Sequence, residues 1–210
     1  MMISTFKRRA GFSLFEVLLV MALFSSTLFV VIRFRSNLDL LQNIVNQKLQ
    51  SRQDIDQAFQ RLVTDIRSAG PSSLGGYAIE AAATGSLTFY SDIDKDGIFE
   101  RVRYFLASST SATTTLQRGI VEPAGNPLVY ATSTEIVATA AANVVNTSTV
   151  QLFAYYDANY TGSEAPLSVP ITTTAVRLVK ISLLAAVNPN TAPVSPLFSD
   201  LVRIRNLRSN

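Results

Sequence analysis

Cysteine, histidine and tryptophan are all missing from this 210-residue chain. Without cysteine no disulfide can form, so any folded domain must be held by core burial or by a metal. Without cysteine or histidine there is no thiolate or imidazole zinc site. Ser-His-Asp and Cys-His arrangements cannot be built, and general acid–base chemistry near neutral pH loses its usual agent. A paired-carboxylate site remains chemically open. Charge is also scarce: 16% of residues are charged and the formal net charge is +3. Lys7, Arg8 and Arg9 supply that whole excess, and the rest of the chain is formally neutral. Such a balance gives no basic footprint for nucleic acid. Low hydrophobicity combined with high net charge, the signature of disorder, is absent as well.

What the chain does have is one long apolar run near its N-terminus. The first eleven residues, MMISTFKRRAG, are short, polar and basic; FSLFEVLLVMALFSSTLFVVI follows from Phe12 to Ile32. Twenty-one helical residues span roughly 30 Å, the thickness of a bilayer core. The basic cluster ahead of the run predicts a cytoplasmic N-terminus and an exported remainder. A secretory signal peptide would be cut after the run at small residues, but VVIRFRSNLD stands there. A plain signal anchor explains the length and the flanking charge, and leaves Glu16 unexplained. That carboxylate lies inside the apolar run, where an ionised acid costs several kcal/mol unless it is paired. A chain cut between Gly11 and Phe12 would bring a new α-amine into its neighbourhood, with Glu16 as the fifth residue.

The residues KRRAG-FSLFEVLLVMALFS resemble the leader of type IV prepilins and type II secretion pseudopilins. The match covers the basic residues, the Gly before the cut, the Phe after it, the Glu five residues on and the apolar run behind. The resemblance implies cleavage after Gly11 and N-methylation of Phe12 by a prepilin peptidase. It makes Glu16 the glutamate that sets register during assembly. Ser13 and Phe15 depart mildly from the commoner residues at their places. The implied partners are other pilin or pseudopilin subunits, the prepilin peptidase, the inner-membrane assembly platform and the inner membrane itself. The implied location is a single-pass inner-membrane protein with its head outside the cytoplasm, which then joins a filament.

Beyond the membrane the pattern becomes amphipathic. Phe34, Leu38, Leu41 and Val45, then Ile55, Phe59, Leu62, Ile66 and Ala69, recur at helical spacing. No proline or glycine interrupts residues 12 to 69, and Gly70-Pro71 ends the pattern. Strand-like runs follow: Ser86–Ser91, Arg101–Leu106, Thr113–Val121, Val150–Tyr156, Val176–Ala186 and Leu201–Leu207. Between them, TSTEIVATAAANVVN has Thr132 and Glu135 at the spacing of a capping box. Its apolar residues Ile136, Val137, Ala140, Ala141 and Val144 predict a short helix over 133–145. Ser108–Thr115 and the proline-bearing stretch 188–196 read as turns or loops. The fold class is α+β: a long N-terminal helix, transmembrane then amphipathic, packed on a mainly antiparallel sheet. The organisation is a leader at 1–11, a transmembrane half-helix at 12–32, an amphipathic half at 33–70 and a β-rich head at 71–210. RLVTDIRSAG, SDIDKDGIFERVRYFL, VQLFAYYD and VRIRNLR are similar to segments of the minor pilin W and pseudopilin J group, which implies a pilin-like fold and a minor subunit.

Asp92, Asp94, Asp96 and Gly97 make a D-x-D-x-D-G loop, with Glu100 at the ninth position. Alternating oxygen ligands, a glycine turn and a backbone carbonyl at Ile98 suit Ca²⁺. Arg103 stands where an EF-hand needs its closing glutamate, and the flanks read as strands, so this is no EF-hand. A calcium-binding hairpin loop and a plain Asp-rich turn are the two readings. A tip adhesin or nucleic-acid-contacting subunit is the alternative function. It needs Arg101, Arg103, Arg177, Lys180, Arg203, Arg205 and Arg208 to cluster on one face. An anchored enzyme is the least favoured, because no catalytic constellation appears. Asn146-Thr147-Ser148 and Asn159-Tyr160-Thr161 match glycosylation acceptors, a short motif that arises often by chance.

Overall fold

The computed structural model describes residues 13–107, 113–185 and 196–207. The leader with Gly11 and Phe12, residues 108–112, 186–195 and Arg208 lie outside the described residues, and with them most of both expected loops. Helix α1 runs over Leu14–Arg67, with its backbone helical throughout. Contacts divide the chain into two units, one over residues 1–47 and one over residues 48–210.

In the first unit, Leu14–Ser36 is a 23-residue stretch of mean hydropathy 2.4 with none of its residues buried. By length and composition it can cross a membrane. Leu14, Phe24, Phe29 and Ile32 all stand well exposed, as helix side chains do when their solvent is lipid rather than protein. Thr27 returns its hydroxyl to the Leu23 and Phe24 carbonyls, so it adds no unsatisfied polar group to the apolar surface.

In the second unit, the last turns of α1 bury the expected stripe. Ile55, Phe59, Leu62, Ile66 and Ala69 are all buried, with Leu62 and Ala69 fully so. Each large member of such a stripe contributes about 1.5–3 kcal/mol on burial. The helix ends at Arg67, three residues before Gly70-Pro71.

Eight strands follow. β1 (Ile79–Ala83), β2 (Ser86–Ser91), β3 (Glu100–Ala107), β4 (Thr114–Val121) and β5 (Ile136–Val144) form an antiparallel sheet in sequential order. β6 (Phe153–Tyr156), β7 (Leu178–Leu184) and β8 (Leu197–Arg203) form a second, three-stranded one. Alternation sets the buried faces. Leu87 pairs with Tyr104, Phe89 with Val102 and Tyr104 with Arg118, and all of these side chains point into the core. In the second sheet Phe153 opposes Ile181, while Val179 lies between Tyr155 and Val202. A bridge from Val144 to Ala185 and a Val145 N–H to Leu184 hydrogen bond join the two sheets. The sequence pattern predicts one sheet, and the chain builds two.

The segment 133–145, expected as a helix, is instead strand β5 preceded by a short 3-10 turn at Thr132–Thr134. The capping box does not form. Glu135 accepts from Arg103 Nε at 2.8 Å and Nη2 at 2.7 Å, so its carboxylate serves the sheet. Two register irregularities in the β4–β5 ladder set Ala138 opposite Arg118, Ala141 opposite Leu116 and Val144 opposite Thr114. Residues three apart therefore share one face, and a doubly bulged strand imitates helical spacing. The sequence gives no signal for β1, because IEAAA is short and alanine is depleted in strands. The C-terminal strand begins at Leu197 and stops at Arg203, after which Arg205–Leu207 form a 3-10 turn.

Candidate functional site

Glu16 lies in the first turn of α1. The Glu16 and Val17 amides donate to the Ser13 carbonyl, which starts the helix just before the acid. A carboxylate there meets the positive end of the helix dipole. Its side chain is exposed among Phe15, Val17 and Leu19. Among the described residues no cation pairs with it. Glu16 is thus an exposed acid on an apolar helix surface.

The acidic loop joins β2 to β3. Gly97 takes φ +90° and Lys95 φ 66°, the left-handed turns that Gly and short polar loops accommodate. Side chains cap the loop's own amides. Asp94 Oδ1 accepts from Asp96 N at 3.2 Å, Asp96 Oδ1 from Ile98 N at 2.7 Å, and Asp92 Oδ2 from Gly97 N at 3.2 Å. Glu100 Oε2 accepts from Ile93 N at 2.8 Å. These bonds are those of an Asp-rich turn, and all hold in the same structure as a tighter cluster.

Asp92, Asp94 and Glu100 each offer a carboxylate oxygen within 4.8 Å of the other two. Oxygens bound to one Ca²⁺ at 2.3–2.6 Å lie about that far apart. Glu100 is only 4% exposed, yet no Lys or Arg pairs with it among the described residues. Burial, and then the charges of Asp94 and Asp92, raise its pKa above the usual 4.5, against the lowering effect of the Ile93 amide. Asp92 Oδ1 is buried with no hydrogen-bond partner. Of the five residues expected to hold a metal, the fold brings together Asp92, Asp94 and Glu100. Asp96 serves the turn and stands outside that group of side chains.

Of the seven cations suggested for a binding face, three are engaged, while Lys180, Arg203 and Arg205 are exposed with no partner among the described residues. Arg101 pairs with Glu80 and Arg103 with Glu135. Arg177 Nη1 donates to the Thr174 and Val176 carbonyls and to the Tyr77 hydroxyl. Asn146 is engaged as well. Its amide donates to Val150 O and Ser182 O and accepts from Leu184 N. A glycan on that nitrogen would break the join between the sheets.

Sequence reasoning missed a buried network. Tyr104 donates its hydroxyl to Asp65 Oδ2 at 2.8 Å, and Arg118 Nε donates to the same oxygen at 2.9 Å. Asp65 and Arg118 are 7% and 8% exposed. Burial, and then the neighbouring Asp65 carboxylate, push the Tyr104 hydroxyl's pKa up, so it stays a donor. The signal was present: Arg118 shares the inward phase of Leu116.

No family model matches the chain, and no curated protein or solved structure is significantly similar to it.

Proposed function

We propose that this chain is a minor pilin or pseudopilin, a structural subunit that a prepilin peptidase cuts after Gly11 and methylates on Phe12. The carrying observation is the fixed spacing of Gly11, Phe12 and Glu16 at the mouth of an apolar helix that opens at Leu14. A lone acid on a membrane-facing surface is costly, and a free amine at Phe12 supplies the missing positive charge. The α+β architecture, with the helix stripe buried under the sheets, supports a pilin-like fold. In this reading the helix anchors the subunit in the inner membrane with the head on the far side. The assembly platform then draws it into a type IV pilus or type II secretion-like pseudopilus beside other subunits.

The test is incorporation. Glu16→Ala should leave the head folded and the chain in the membrane, and should abolish recovery of the subunit in sheared filaments. Recovery at the wild-type level would refute the assembly role.

A second element of the proposal is that Asp92, Asp94 and Glu100 bind Ca²⁺. The buried Glu100 without a cation and the partnerless Asp92 Oδ1 favour it. The three side chains would supply hard oxygen ligands and water would complete the shell. The ion would fix the β2–β3 loop, with no part in any reaction. The alternative of a nucleic-acid-contacting tip has less support, because Arg101, Arg103 and Arg177 are already partnered and only Lys180, Arg203 and Arg205 are left exposed without a partner among the described residues.

A further inference from the structure

Strand β5 is the outer strand of its sheet. Beyond its ladder with β4, no backbone hydrogen bond reaches Ile136–Asn143 among the described residues. Nine residues, IVATAAANV, carry no charge and no proline. Ile136 and Val137 stand 70% and 44% exposed. Charged residues and prolines are the usual guards of such an edge, and neither is used here; only the bulges remain.

Beside this edge runs a groove of about 550 Å³, walled by α1 residues Asp54, Gln57 and Arg61 and by Ala138–Asn143 of β5. Tyr104 and Arg118 line it too. Ala138 is the residue directly opposite Arg118 on the β4–β5 ladder. A methyl at that position leaves the way to the guanidinium open.

Arg118 is 8% exposed, and its Nη2 is buried with no hydrogen-bond partner. That nitrogen is ion-paired with Asp65 Oδ2 at 2.8 Å, the oxygen to which Nε donates. An arginine presents five donors, so this one keeps unused capacity in a low-dielectric wall. Arg61 is exposed and has no acidic partner among the described residues. Asp54 sits seven residues earlier on α1, about 10 Å away along the axis. Asp65 balances the Arg118 charge, so the groove is basic at one end through Arg61, with the spare Arg118 donors beside it, and acidic at the Asp54 end.

We propose that this groove receives an extended segment of a partner protein, which adds a strand to the free edge of β5 and sets a carboxylate against Arg61 and Arg118. Main-chain pairing gives the affinity in such strand addition, and side-chain pockets give the specificity. The edge from Ala138 to Asn143 runs roughly 20 Å at 3.3 Å per residue, far longer than a small anion needs. The alanines leave room for the incoming backbone, and the charge gradient fixes its direction. A basic residue of the segment would face Asp54.

The experiment uses the full chain in detergent micelles and a seven-residue Thr/Val peptide with Glu near one end and Lys near the other. Amide hydrogen exchange is followed with and without peptide. The expected result is slower exchange at Ala138–Ala142, with about tenfold weaker binding when the peptide Glu is replaced by Gln. Ala138→Phe should abolish that protection while the thermal transition of the head is kept; Arg61→Glu, at an exposed position, should also weaken binding. Equal binding of the Glu and Gln peptides would overturn the proposal. So would unchanged protection in Ala138→Phe, or β5 amides that are fully protected before any peptide is added. Acetate that displaces the peptide's carboxylate without releasing its backbone would support the two-part contact, whereas acetate binding with no peptide binding would overturn it.

Discussion

Arg118 Nε donates to Asp65 Oδ2 at 2.9 Å, and this pair, with both partners more than nine-tenths buried, ties the last turns of α1 to the centre of the first sheet. Tyr104 shares the same carboxylate oxygen. Three polar groups on three elements therefore meet at one atom beneath an otherwise apolar stripe. Such a pair contributes specificity of docking more than net stability, because desolvation offsets much of the Coulomb gain.

Removing one partner leaves the other charge uncompensated. Asp65→Ala should cost about 3–5 kcal/mol, and the double change Asp65→Leu with Arg118→Met should cost far less than the sum of the two single changes. Urea unfolding of the four proteins of that cycle measures both. Additive losses would contradict the pairing.

The Arg103–Glu135 pair predicts a pH dependence. The hydrogen bonds from Arg103 hold the Glu135 carboxyl below the usual 4.5. A depressed folded-state pKa contributes stability that is full above the unfolded value and is lost as pH falls through the folded one. Denaturation midpoints should therefore drop as pH falls from about 4.5, and Glu135→Gln should flatten that part of the profile. Gly119 is part of the same arrangement, because a Cβ there would run into the Glu135 carboxylate. Gly119→Ala should reproduce the Gln profile at an added cost of roughly 1 kcal/mol or more.

Calcium should stabilise the head. Adding Ca²⁺ after chelation should raise the thermal midpoint in a concentration-dependent way, as any ligand that binds only the folded state does. Glu100→Gln should remove the response, and Asp96→Asn should keep most of it, since Asp96 stands outside the cluster. An identical midpoint with chelator and with millimolar Ca²⁺ would leave the loop as a turn.

Asn146 replaces three backbone partners at the junction of the sheets. Asn146→Ala strands the Leu184 amide and should cost about 1–3 kcal/mol, read from urea unfolding. Asn159, exposed in its loop and bonded among the described residues only to nearby Asp157, should tolerate the same change within about 0.5 kcal/mol.

The sequence made the helix and its buried stripe readable because one period ran unbroken from Ile55 to Ala69, and every member is buried. The strand runs with aromatic alternation, Ser86–Ser91 and Arg101–Leu106, were readable for the same reason. β5 was not, and the failure has a physical cause. Two bulges placed Ala138, Ala141 and Val144 on one face, while Thr132 and Glu135 stood at capping distance. Alanine's helix preference is worth only tenths of a kcal/mol per residue, too little to outweigh a ladder with β4 and a bidentate Arg103–Glu135 pair. In the acidic loop, spacing offered Asp92, Asp94, Asp96, Ile98 and Glu100 together, but could not reveal that Asp96 turns back on Ile98 N. The inward phase of Arg118 was legible beside Leu116, but its partner was not, because the two charges lie 53 residues apart and only the tertiary fold sets them together.

The most direct test of the filament-subunit reading is the intact mass and N-terminal sequence of the membrane-extracted protein, produced with and without a prepilin peptidase. A chain beginning at N-methylated Phe12 only when the peptidase is present is the predicted result, and it gives Glu16 an amine to pair with. A chain that keeps Met1–Gly11 under both conditions would contradict it and leave the helix as a plain membrane anchor.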